Sequence, residues 1–102
     1  MNYALIGCGR VSPNHLKAAK ENGFNIVAVC DISKENIEDM FARSVLSEEE
    51  IASVRCYESY IEMLDKEAID LVSIALPSGL HAEAAFAAIE RKINCIIENP
   101  LQ

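Results

Sequence analysis

Residues 7–12 read Gly-Cys-Gly-Arg-Val-Ser, a G-x-G-x-x-G loop with serine in the third glycine position. The first glycine lets a chain leave a strand sharply. The second lets backbone N–H groups come close to an anion with no Cβ in the way. Ser12 ahead of Pro13 reads as an N-cap followed by proline at the first helical position. A helix starting there turns its unpaired N–H groups and positive dipole end toward the same anion. Taken alone, the loop also fits a strand–helix turn that uses glycine for backbone reasons only. Asp31 lies 24 positions after Gly7 and supplies a second group. A carboxylate at that spacing, ending the next strand, can accept both hydroxyls of a ribose. It also repels a 2′-phosphate, by roughly 4 kcal/mol at about 4 Å and an effective dielectric near 20, an upper bound once solvent screens it. No arginine stands directly after Asp31, and Lys34 is the cation nearest after it. Together the loop and the acid point to a dinucleotide, NAD rather than NADP.

Two other stretches could reach the same place. Leu76-Pro77-Ser78-Gly79-Leu80-His81 follows one apolar run and Glu98-Asn99-Pro100 follows another. Each proline stops a strand and sets the chain direction beyond it. His81 falls in the first turn of a helix, facing either a cleft or solvent. Glu98 is either a structural carboxylate taking backbone N–H groups or a ligand contact. No catalytic base stands out, and His81 and Asn99 are the candidates for a part in the chemistry.

The elements that must position these groups can be read from apolar runs and their punctuation. Tyr3–Ile6, Asn25–Cys30, Val54–Cys56, Asp70–Leu76 and Asn94–Ile97 are strand-like. Helices are expected over 13–22, ending at Gly23; after Ser33, with Ile37, Met40 and Phe41 on one face; after the Ser47/Glu50 capping box; and after a second box, Ser59/Glu62, carrying Ile61 and Leu64. The last helix, 79–91, is rich in alanine and places Ala82, Ala85, Phe86 and Ile89 at helical spacing. Strands alternate with helices and are continuously apolar, the signature of a parallel sheet covered on both faces. The expected fold is α/β, doubly wound (Rossmann), as one domain with no repeat or linker.

Composition narrows the partners. A net charge of −7 at pH 7 argues against nucleic acid, whose binding needs clustered Lys and Arg. Backbone amides can still hold a pyrophosphate. The N-terminus does not read as a signal peptide, and no run approaches the length of a membrane span. Cys8, Cys30, Cys56 and Cys95 have no metal-ligand spacing and read as reduced thiols of a cytoplasmic protein.

"ALIGCGRVSPNH", Asp31, "LVSIALPSGLH" and "EN-P" together resemble the N-terminal half of the glucose–fructose oxidoreductase/inositol dehydrogenase family (Gfo/Idh/MocA), over essentially the whole chain. Within that family the likeness is to dehydrogenases of UDP-N-acetylglucosaminuronate type, which serve surface-polysaccharide synthesis. The resemblance implies hydride transfer between NAD and a hydroxyl of a sugar or sugar nucleotide. It implies Gly7, Gly9, Arg10 and Val11 at the pyrophosphate and Asp31 at the ribose. Leu76, Pro77, Ser78 and His81 would lie on the nicotinamide side, and Glu98 at its ribose or the adjoining turn. Two departures stand out. Asn99 replaces the lysine of the family's Glu-Lys-Pro, and an amide brings no positive charge to an alkoxide-like transition state. Lys92 stands where the family turns on glycine. Family members continue into a second, substrate-holding domain, absent from these 102 residues; the sheet edge left open favours self-association or association with another chain, and a homo-oligomer is expected. The rival readings are a non-catalytic nucleotide-binding module that associates with partner chains, and a methyltransferase, in which "PSGLH" and "ENP" have no place.

Overall fold

The computed structural model describes residues 1–98. Its strands are β1 (Asn2–Ile6), β2 (Asn25–Cys30), β3 (Arg55–Tyr57), β4 (Leu71–Ile74) and β5 (Asn94–Ile97). They make one sheet in the order β3-β2-β1-β4-β5, and each neighbouring pair is parallel. The helices are α1 (Ser12–Glu21), α2 (Lys34–Arg43), α3 (Glu48–Ser53), α4 (Tyr60–Lys66) and α5 (His81–Glu90), with a 3-10 turn over Ser78–Leu80 leading into α5. The strand order reverses at β1 and β4. The segments that follow these two neighbours therefore diverge, and a crevice opens beyond their carboxyl ends.

The central strands β1, β2 and β4 are largely apolar because both faces are covered, whereas the edge strands β3 and β5 are mostly exposed. Tyr3 and Leu5 of β1 share a core with Leu16 and Ala19 of α1 and with Ile37 and Met40 of α2. Ala4 and Ile6 share another with Met63 and Leu64 of α4 and with Ala84, Ala85, Ala87 and Ala88 of α5. The β1–β2 register slips between Tyr3 and Ala4, and Val27 and Ala28 consequently both join the α4/α5 core.

Three local expectations need correction. Ser12 is the first residue of α1 rather than its cap; Val11 occupies the cap position. The Ser12 side chain is completely buried, and its hydroxyl donates to the Gly9 carbonyl at 2.6 Å. A buried hydroxyl must find an acceptor, and the loop behind it is the near one. On α5, the face against the sheet is Ala84, Ala85, Ala87 and Ala88, while Phe86 and Ile89 are 66% and 59% exposed. Methyl side chains let the helix lie close to β4 and β5, where a phenyl ring would hold it off. On α4, Met63 and Leu64 point inward and Ile61 is exposed.

The other serines cap as read. Ser33 accepts from the Asn36 amide, and Ser47 and Glu50 form both halves of a capping box. Ser59 accepts from the Glu62 amide, but the Glu62 carboxylate goes to Lys66 instead of closing the box. Lys92 turns the chain out of α5 in the left-handed region, at φ 59°. Edge strand β3 is tied down by Glu67, whose carboxylate takes Nε and Nη2 of Arg55 and the hydroxyl of Tyr57.

Candidate functional site

Gly7 ends β1 between β2 and β4. Its amide donates to the Cys30 carbonyl at 2.8 Å, its φ is +97°, and a Cβ built on it would lie 2.6 Å from the Ala75 carbonyl oxygen. No side chain fits there. Gly9 differs: a Cβ on it would meet nothing within 4 Å, so the space beside it is open for a ligand. The Gly9 carbonyl is taken by Ser12, through its amide at 3.2 Å and its hydroxyl. The Arg10 carbonyl accepts from Nη1 of Arg43, reaching across from α2, at 3.0 Å. Among the described residues the amides of Gly9, Arg10 and Val11 make no backbone hydrogen bond. This is the state expected of donors at the mouth of an anion site.

Asp31 turns into this loop. One carboxylate oxygen accepts from the Cys8 amide at 2.8 Å; the other accepts from the Ser33 amide at 2.8 Å and from the Asn36 side chain at 3.4 Å. Each carboxylate oxygen has two lone pairs, so acceptor capacity remains for a ligand hydroxyl. The residue is half-buried and lines a crevice of about 400 Å³ together with Ile6, Ile32, Tyr60, Leu76 and Pro77. That volume lies within the range of ligand clefts. A shallower groove of about 500 Å³ adjoins the outer side of the loop, between Gly9 and Arg10 on one wall and Asn36, Asp39 and Arg43 on the other.

Leu76 and Pro77 wall the crevice, while Ser78 is exposed in the 3-10 turn. The His81 ring bonds through Nε2 to the Leu76 carbonyl. A carbonyl only accepts, so Nε2 carries hydrogen and the neutral ring keeps Nδ1 as its one basic atom. His81 thus closes the Leu76–His81 turn on itself. Glu98 is not gathered into the crevice. Its amide donates to the Ile74 carbonyl at 2.9 Å, and its carboxylate lies 3.9 Å from Nε2 of His15 on α1. Asn99 lies outside the described residues.

Sequence reasoning missed several neighbours. Ile32 and Asn36 sit one and five positions beyond Asp31, and Tyr60 follows the α4 cap, so proximity to known punctuation was the available signal for them. His15 had none beyond closing the loop stretch. Burial, then the nearby Glu83 carboxylate, raises the Tyr60 hydroxyl above its ordinary pKa. Burial and the Asp31 carboxylate push the Cys30 thiol up to about 12 and that of Cys8 well above its ordinary value, which keeps both protonated and unreactive. All four cysteines are free thiols. Among the described residues no group of His, Cys, Asp and Glu is placed to hold a metal ion, and no helix is long and apolar enough to cross a membrane.

A parallel sheet with a reversal point, a glycine loop running into a helix and an acid at the tip of the next strand define the dinucleotide-binding α/β class. The residues fit the cofactor of that class: Gly9 leaves its space open, amides without a backbone partner among the described residues stand at the helix start, and one acceptor site on Asp31 remains beside them. The chain belongs to the GFO_IDH_MocA oxidoreductase family with an NAD-binding Rossmann fold, whose model matches residues 1–102. It is 33% identical over 112 residues to the uncharacterized oxidoreductase YfiI of Bacillus subtilis, covering 99% of this chain and 27% of that protein. It is 29% identical over 103 residues to the inositol 2-dehydrogenase of Renibacterium salmoninarum, covering 99% of this chain and 29% of that protein. A crystal structure of the WlbA dehydrogenase from Chromobacterium violaceum, in complex with NADH and UDP-GlcNAcA, superposes with a TM-score of 0.81 at 27% identity. That match covers 99% of this chain and 28% of the other. The chain therefore spans less than a third of the length of these relatives. Its cofactor is NAD.

Proposed function

We propose that this chain is the cofactor-binding part of a longer NAD-dependent dehydrogenase that oxidises or reduces a ring hydroxyl carbon of a sugar, cyclitol or sugar nucleotide. The observation that carries the reading is the Asp31 carboxylate, hydrogen-bonded to the Cys8 amide inside the glycine loop at the crevice. NAD supplies the two-electron hydride chemistry. The amides at Gly9, Arg10 and Val11 hold the pyrophosphate, and Gly7 keeps the turn tight enough to present them. Asp31 accepts from the ribose hydroxyls and repels a 2′-phosphate. Leu76 and Pro77 close the crevice opposite Asp31. Ser78 and His81 shape the turn toward the nicotinamide side, and Glu98 steadies that side from the end of β5. For a part in the chemistry this chain offers His81 and Asn99 as candidates, and neither is assigned as the base that takes the hydroxyl proton.

The substrate class rests on the relatives, which include an inositol 2-dehydrogenase and a dehydrogenase solved with UDP-GlcNAcA. A sugar nucleotide of that uronic-acid type, used in surface-polysaccharide synthesis, is the finer reading. Reduced thiols and a soluble dinucleotide cofactor fit a cytoplasmic setting. Exposed Ile96 and Ile97 on the outer strand β5 would be covered by further chain or by a second copy in a homo-oligomer. The non-catalytic module is not favoured, because the family and the relatives named above are oxidoreductases.

Calorimetric titration with NAD+ and NADP+, then hydride-transfer assays on the full-length protein with inositols and uronic-acid sugar nucleotides, test the reading. Binding of NAD+ in preference to NADP+ and turnover of one of these substrates are expected. No binding at millimolar NAD+ would end it.

A further inference from the structure

The serine in the third glycine position and an arginine from α2 each hold one carbonyl of the loop. Ser12 takes the Gly9 carbonyl through its hydroxyl at 2.6 Å, and Arg43 donates from Nη1 to the Arg10 carbonyl at 3.0 Å. Arg43 is itself set by Asp39, one turn earlier on α2, which accepts from its Nε at 2.9 Å. A peptide unit is planar and trans, so its C=O and the following N–H point in opposite directions. Anchoring the Arg10 carbonyl toward α2 therefore aims the Val11 N–H away from α2. Anchoring the Gly9 carbonyl toward Ser12 likewise aims the Arg10 N–H away from the buried side. Both N–H groups lack a backbone partner among the described residues. A glycine in place of Ser12 could not supply the second donor to Gly9.

We infer that Arg43 and Ser12 are positioning residues for the dinucleotide: by clamping the Arg10 and Gly9 carbonyls, they fix the two loop peptides whose amides meet the pyrophosphate. The inference rests on the reading that this loop holds the NAD pyrophosphate. Arg43 acts through the loop backbone, and the planar guanidinium matters because one head must reach Asp39 and Arg10 at once. A lysine ammonium keeps the charge but is a compact point donor without that fork.

The test is titration of the chain with NAD+, ADP-ribose and adenosine, comparing wild type with Arg43→Ala, Arg43→Lys and Ser12→Ala, with a thermal melt of each. Removing one charge-assisted hydrogen bond at a half-exposed site should weaken NAD+ and ADP-ribose by about five- to twenty-fold. Adenosine, which has no phosphate, should change by less than about twofold, and Arg43→Lys should fall close to Arg43→Ala, by the same logic of fork geometry. Ser12→Ala, whose side chain is smaller, should weaken the same two ligands. Wild-type affinity in Arg43→Ala would overturn the proposal. So would full rescue by lysine, which would make long-range charge the cause, or an equal loss for adenosine, which would mark a general structural defect. If wild type itself failed to bind NAD+, the functional reading beneath would fall with it, a result distinct from these.

Discussion

Replacing Gly7 and Gly9 separately by alanine should separate folding from binding, although the two residues play parallel parts in the loop pattern. At Gly7 the added Cβ lies 2.6 Å from the Ala75 carbonyl oxygen and 2.8 Å from its carbon, both backbone atoms of the segment just past β4. Backbone cannot rotate out of the way as a side chain can. The positive φ of +97° adds its own cost, about 1–2 kcal/mol for a residue with a Cβ. Overpacking a tight interior typically adds about 1–3 kcal/mol more. The sum, about 2–5 kcal/mol, is a large share of the roughly 5–15 kcal/mol that holds a domain together. Gly7→Ala should therefore shift the urea midpoint strongly, and should bind NAD+ poorly because the turn that presents the loop amides is displaced. Gly9→Ala meets nothing in the free protein and should change stability by about 0.5 kcal/mol or less. Its NAD+ affinity should nonetheless fall by more than about tenfold, since the new methyl group stands where the pyrophosphate must approach. Urea unfolding followed by circular dichroism and calorimetric titration read the two effects independently. A Gly9→Ala protein that binds NAD+ as wild type does, or a Gly7→Ala protein of wild-type stability, would refute the assignment of roles.

Asp31→Asn keeps an acceptor but removes the charge, so preference for NAD+ over NADP+ should shrink by about tenfold, the repulsion at a half-exposed site being well below its unscreened value; parallel titrations with the two cofactors measure it. The Arg55 guanidinium holds the Glu67 carboxyl below its ordinary range. Its contribution is thus complete above about pH 4.3, the unfolded value, and is lost as pH falls through the depressed folded value. Glu67→Gln should flatten that acid limb of the stability curve, measured by thermal melts across pH. Lys92→Gly should raise stability by about 0.5–1 kcal/mol, because Lys92 holds φ 59° at a position glycine adopts freely; a lower melting temperature would speak against it.

Much of the architecture was legible because parallel strands buried on both faces must be continuously apolar, and the serines before α2, α3 and α4 mark helix starts by local hydrogen bonding. The α5 face was not legible. Ala82, Ala85, Phe86 and Ile89 have helical spacing, but periodicity reports a stripe and not how near the sheet allows it to come. Four alanines fit where Phe86 does not. Ser12 was misread for a related reason: Ser-Pro is a good cap locally, while close packing of α1 against the strand turned the hydroxyl back onto Gly9. Arg43 could not be found from sequence at all, since its partner carbonyl lies 33 positions away.

What the sequence determined by itself is the set of groups whose role depends on near neighbours: the glycines of the turn, the acid closing the second strand, the caps and the apolar runs. Only the tertiary structure decided which donors those groups face. It turned Asp31 onto the Cys8 amide, set Glu98 beside His15 and brought Arg43 to the loop. The physical reason is that a hydrogen bond needs its partners within about 3 Å and aligned. Contacts between residues distant in the chain meet that condition only after the sheet has been assembled in one particular order.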